Sequence, residues 1–213
     1  MKDFYLRMIK MIFGLFLYAL GIVITLKANI GFAPWDVFHV GLSKTMGISI
    51  GTASILVGLL ILLIVIILGE KLGFGSVFNM FLVGIFLDLI LKINLVPQMK
   101  HIVSGIIMLI SGMVVISVAT YFYIGSAFGA GPRDSLMVAL TRKTKIPVGI
   151  CRGIIELSAT VAGWFLGGMV GIGTVITVIG IGFCIQLTFK VLKFDVKAVK
   201  HESLKDTLRL FFR

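Results

Sequence analysis

The sequence predicts an all-α polytopic membrane protein. Six membrane-crossing helices form two inverted three-helix repeats, each with a short broken or re-entrant helix after its first span. Three observations predict this: six apolar runs of bilayer-crossing length, a pattern of glycine, proline and aspartate that recurs 98 residues later, and a short polar segment in the same place in each copy.

The runs come first. The chain of 213 residues is 59% hydrophobic and 14% charged, with a mean hydropathy of +1.13. Soluble domains hold about 45–50% apolar residues, so the surplus must face something other than water. A bilayer core needs roughly 20 residues of helix, and about 17 suffice. Met11–Leu26, Ser49–Gly69, Phe74–Leu91, Ile102–Tyr123, Val148–Met169 and Ile172–Phe189 approach or meet that length. The first run has a basic start but no convincing cleavage site, and it is read as a span.

The repeat comes second. "GFAPWDVF" (Gly31–Phe38) and "GAGPRDSL" (Gly129–Leu136) share a Gly-x-x-Pro-x-Asp phrase 98 residues apart, and the register holds without a gap. Gly14 falls on Gly112, Gly51 on Gly149, and "LGEKLGFGSV" on "LGGMVGIGTV". Oily segments match one another by chance, but a fixed register of these three residue types does not arise that way. The whole of residues 1–213 therefore reads as one membrane domain, with repeat 1 at 11–95, repeat 2 at 109–193 and a tail at 194–213.

The third observation is the pair of short segments. Proline suits the first turn of a helix, where its missing N–H is no loss. An acidic residue in that turn meets the positive end of the macrodipole. Gly31 and Gly129 allow the sharp entry that precedes Pro34 and Pro132. Each phrase therefore marks the start of a short helix, either lying at the interface or re-entering the protein. In the re-entrant reading the two helix starts converge from opposite sides. Irregular backbone at membrane depth is tolerated where protein or a wet cavity covers it.

Three spans per repeat place the second repeat upside down relative to the first. With a cytoplasmic start, twelve Lys and Arg outside the distant tail fall on one side and four on the other. Both termini are then cytoplasmic. The same bias accounts for the net charge of +11 and leaves no reason to invoke nucleic acid.

Charged residues inside the spans nominate a site. Arg152 and Glu156 lie four apart on one face of the fifth span, where charge is expensive unless it meets a partner or water. Their repeat partners are Ser54 and Gly58, so symmetry does not require the charges. Trp35 corresponds to Arg133, so the two phrases offer an aromatic face and a cation. The candidate substrate-binding residues are thus Trp35, Asp36, Arg133, Asp134, Arg152 and Glu156. With Asp134 capping its helix, two arginines and one carboxylate leave a positive charge for an anionic group. Glu156, the deeper acid, is the candidate carrier of a coupling proton.

Other polar residues receive structural readings. Asp88 is expected to pair with Lys92 in solvent, and His39 to sit at the membrane interface. Gly163, Gly167 and Gly171 form a small-xxx-small ridge for close helix packing within the monomer or, in a homodimer, between copies. Cys151 and Cys184 lack metal spacing, and no cofactor, metal or catalytic motif is implied. The tail "KVLKFDVKAVKHESLKDTLRLFFR" alternates basic and apolar residues, as in a cytoplasmic amphipathic helix on anionic lipid.

The stretches "NIGFAPWDVFHVGLSKTMGISIG", "GAGPRDSLMVALTRKTKIPVGICRGIIE" and "GWFLGGMVGIGTV" resemble the YczE-like branch of the YczE/YyaS/YitT family of bacterial membrane proteins. The likeness extends over residues 8–193 and implies a multi-pass protein of the bacterial plasma membrane. It supplies no catalytic residues. The expected function is secondary transport or export of a small anionic or zwitterionic organic solute through a site at the repeat interface. The alternative is a non-transporting accessory protein supporting a membrane-associated biosynthetic enzyme. An enzyme is not expected, since no nucleophile or metal cluster gathers at one membrane face.

Overall fold

A computed structural model describes residues 2–70 and 72–199. All regular structure among them is helical: α1 (Lys2–Lys27), α2 (Pro34–Met46), α3 (Ile50–Ile67), α4 (Phe74–Ile93), α5 (Ile102–Ile124), α6 (Pro132–Thr144), α7 (Val148–Phe165) and α8 (Ile172–Val191). A 3-10 turn, Val196–Ala198, follows. The amphipathic tail expected at 194–213 lies outside the described residues from 200 onward.

Six helices (α1, α3, α4, α5, α7 and α8) are long and apolar enough to cross a membrane. Their outer faces expose large aliphatic side chains such as Leu60, Ile67, Ile107, Leu157 and Leu187. In water such a surface would be untenable; against acyl chains it is the ordinary state. The six spans expected from composition are therefore present, and α2 and α6 begin at Pro34 and Pro132 with proline in the first turn.

The interior is organised around α1, whose Met11, Leu15, Ala19 and Val23 are fully buried. It packs antiparallel on α5: Gly14 faces Tyr123, Gly21 faces Ile116, Thr25 faces Gly112 and Ala28 faces Gly105. The glycines let the backbones close in; a Cβ at Gly14 would stand 2.9 Å from the Tyr123 nitrogen.

Beyond the first helix of each half, element bounds recur 98 residues on: α2 maps onto α6, α3 onto α7 and α4 onto α8. Contacts between halves are reciprocal and crossed. Helix α2 lies on α7, and α6 lies on α3. The entry segment before α2 packs on the turn before α8, where the Gly173 N–H donates to the Ile30 carbonyl at 2.7 Å. The entry segment before α6 packs on the turn before α4, where the Gly75 N–H donates to the Phe128 carbonyl, also at 2.7 Å. Gly31 and Gly129 take φ values of 111° and 117°, and a Cβ on either would strike the backbone of Gly171 or Gly73.

Two expectations are corrected here. Asp88 is not held by Lys92: it accepts hydrogen bonds from the Ser49 hydroxyl and the Gly51 N–H (2.8 Å) at the start of α3. The positive end of that helix and its unsatisfied N–H groups outcompete a solvated lysine. The glycine ridge is also not one helical stripe, because α7 ends at Phe165. Gly163 lies in the helix against Val37 and Phe38, Gly167 turns the chain at φ 88°, and Gly171 precedes α8 against Ile30 and Gly31.

Candidate binding site

A cavity of about 360 Å³ lies where the two halves meet. Much of its wall is contributed in repeat-related pairs: Trp35 with Arg133, Ser54 with Arg152, and Gly58 with Glu156. Val57 with Ile155 and Val83 with Ile181 continue the pattern. The shape thus follows the repeat while the charge departs from it, since within the first three pairs the ionisable member belongs to the second half.

Each polar side chain is placed by its local sequence. Pro132 starts α6 from buried backbone, so Arg133 emerges in the first turn. Its guanidinium carbon stands 4.9 Å from the centre of the Trp35 ring, a cation–π stack. One of its terminal nitrogens lies 3.5 Å from His39 Nε2. No carboxylate among the described residues stands within ion-pair distance of Arg133. Trp35 and Arg133 therefore meet each other directly, where the sequence suggested that both would meet a ligand.

On α7 the spacing of four gives the anticipated pair: Arg152 Nε donates to Glu156 Oε1 at 2.7 Å. The Glu156 side chain is only 19% exposed and that of Arg152 49%, so the cationic partner is the more open of the two. Asp134 also lines the cavity, with its carboxylate beside Gly131 at the start of α6. Of the six candidate residues, Asp36 alone does not reach the cavity wall. It is buried, and its carboxylate stands 3.7 Å from His39 Nδ1.

His39 corrects a further expectation. It is 2% exposed and walls the cavity instead of lying at an interface. Helix α2 folds onto α7 through Gly41, Gly163 and Gly168, and that close approach turns its polar face inward. Burial pushes the imidazole below its usual pKa of 6.5; Asp36 opposes the shift and Arg133 adds to it. A neutral ring with its proton on Nδ1 toward Asp36 leaves the Nε2 lone pair for Arg133.

Besides Ser54 and His39, four polar wall residues were not nominated by the sequence: Tyr18, Asn79, Thr120 and Tyr123. Asn79 in the oily α4 was the signal available, and the two tyrosines carried none. Tyr123 is 4% exposed, and its hydroxyl has no hydrogen-bond partner. A buried hydroxyl left unpaired in a cavity is free to bond a polar ligand.

The fold and cavity define a multi-pass, all-helical membrane protein with a charged central chamber. Residues 5–190 match the family of unknown function DUF6198, and the chain belongs to that family. It is 34% identical to the uncharacterized membrane protein YczE of Bacillus subtilis over 177 residues, covering 82% of this chain and 81% of that protein. An uncharacterized protein of Haemophilus influenzae is 29% identical over 85% of this chain and 83% of its own length. YyaS of Bacillus subtilis is 28% identical over 78% of this chain and 83% of its own length. The resemblance to the YczE-like branch is thus borne out. No solved structure matches the chain.

Proposed function

We propose that this protein is a secondary transporter or exporter of a small organic solute bearing an acidic group. The observation that carries the reading is the cavity wall: Arg133 without a carboxylate partner among the described residues, and the unpaired Tyr123 hydroxyl. A volume of about 360 Å³ suits a small organic molecule. An anionic oxygen there would complete the hydrogen bonding of both side chains, and the guanidinium fork favours carboxylate, sulfonate or phosphate.

The antiparallel packing of α1 on its repeat partner α5, with the crossed reciprocal contacts, supports two inverted repeats about an axis in the membrane plane. The buried start of α2 at Pro34 and Asp36, and the buried Pro132 that opens α6 ahead of an exposed Asp134, support re-entrant helices. Alongside residues of α1, α2, α3 and α6, the wall includes residues from the starts of α4 and α7 and the later turns of α5 and α8. The charge bias assigns those ends to the cytoplasm, which supports an inward-facing state in the bacterial plasma membrane with cytoplasmic termini. The other short helix is held shut on α7 by glycine contacts. Alternation would release α2 from α7 and close α6 on α3, where Arg142 and Glu70 already pair at 3.1 Å.

Thermal stability of the purified protein against mono- and dicarboxylates, sulfonates, phosphomonoesters and amino acids tests the site. A ligand at about 100 times its Kd adds roughly 2.7 kcal/mol, which is readily seen. At least one acidic compound is expected to stabilise the wild type but not Arg133→Gln, and to cross liposomes containing this protein alone. Failure of every compound to bind or cross, with activity restored only by a second protein, would establish the accessory reading.

A further inference from the structure

Trp35 and Ile155 each face two spaces. On one side is the charged cavity; on the other is an apolar groove of about 330 Å³ between α2 and α7, where Phe38, Ile154, Ser158 and Ala159 complete the wall. Ile154 is 54% exposed, and beside it Leu157 and Val161 are exposed on the same helix. That surface faces acyl chains when α7 crosses a bilayer. The groove thus opens to lipid and adjoins the cavity across two side chains.

The two spaces divide their chemistry. The cavity side holds the cation of Arg133 and the unpartnered Tyr123 hydroxyl. On the groove side the one hydroxyl, that of Ser158, already donates to the Ile154 carbonyl at 2.8 Å, and no charged side chain lines the wall. A polar solute has no use for the groove. A molecule with an acidic head and one hydrocarbon chain matches both: the head enters the wet chamber while the chain stays in surroundings as apolar as the lipid it came from. Drawing that chain into the cavity instead would set methylenes beside Arg133, Arg152 and Glu156, surroundings less apolar than the groove.

We propose that the solute is a single-chain anionic amphiphile taken sideways from the bilayer, with its head on Arg133 and Tyr123 and its chain leaving past Trp35 through the α2–α7 groove. This rests on the transport reading and names the class of solute. Trp35 then serves twice, because its ring is both the platform under the Arg133 cation and the partition that the chain must pass.

The chain has two tryptophans, so Trp164→Phe leaves Trp35 as the sole indole emitter. This variant, in lipid nanodiscs, is titrated with 4-bromoundecanoate, whose bromine lies beside Trp35 when the head is on Arg133 and quenches indole on contact. The expected result is saturable quenching, reversed by undecanoate but not by equal acetate. Arg133→Gln should weaken it by about tenfold or more, as loss of a charge-assisted hydrogen bond does. Two separate groove-filling changes, Ser158→Phe and Ala159→Phe, should abolish quenching while leaving short carboxylates able to stabilise the protein. Quenching that rises linearly without competition, or that both groove variants retain, overturns the amphiphile proposal. If acetate competes as well as undecanoate, the cavity serves short acids: transport stands and the amphiphile falls. If neither acid binds and no solute crosses liposomes, the transport reading falls with it.

Discussion

Single residues fix this architecture where backbones meet. Gly31 combines a φ of 111° with a would-be Cβ only 2.6 Å from the Gly171 nitrogen. Gly47 has a similar left-handed φ, 67°, but open space around it. Alanine at Gly47 should cost only the conformational penalty, about 1–2 kcal/mol. Alanine at Gly31 should cost that and a steric overlap, so its thermal midpoint should fall clearly further than that of Gly47→Ala. His39 makes a second prediction at this scale. Its pKa is lowered in the folded protein, so the unfolded chain binds the proton more tightly. Stability linked to His39 is full above pH 6.5, the unfolded value, and is lost as pH falls through the folded value. Between pH 7.5 and 5.5 the wild type should lose more stability than His39→Gln, as read from thermal midpoints in detergent. An equal loss would show that Asp36 offsets burial and Arg133 completely.

At the scale of elements, the proposed inverted layout puts the ends of α2 and α6 at opposite membrane faces. A cysteine at Thr45 should react with an impermeant thiol reagent from outside the cell, and one at Lys143 only after the cytoplasmic side is opened. Reaction of both from the same side would remove the inverted arrangement. Much of this level was legible in the sequence. Six apolar runs, and two prolines that start helices without loss, gave α2 and α6 their first residues and the spans their places. Asp88 and His39 were misread because sequence shows a neighbour four residues away, not a helix start or a glycine-lined surface arriving from the other half. The ridge at Gly163 was legible as close packing, but which glycines were helical depended on where α7 ends.

The whole molecule explains why the site was only partly legible. Arg152 with Glu156 is a local pair, and spacing revealed it. Arg133 on Trp35 joins residues 98 apart, and only the repeat hinted that they were related. Tyr123 came from the neighbouring α5 and carried no sequence mark. With Arg152 tied to Glu156, protonation of that carboxyl would free the guanidinium, changing the cavity charge within one helix turn. Glu156→Gln is therefore expected to retain solute binding but to lose the pH dependence of flux in liposomes. A variant whose flux still responds fully to a proton gradient would place the coupling elsewhere.

The crossed placement of α2 on α7 and α6 on α3 bears on how the chain is made. A ribosome delivers α2 long before α7 exists, so the glycine-lined bed that will receive Gly41 and Phe38 is absent while the first half enters the membrane. The nascent half must wait with its short helix undocked, and the order of synthesis makes the Gly31–Gly171 junction one of the last to close. Two fragments divided in the 94–101 connection, expressed together, should find each other and assemble, because each carries the surface the other lacks. Either one alone would be left holding an unfinished handshake, a substrate for quality-control proteolysis.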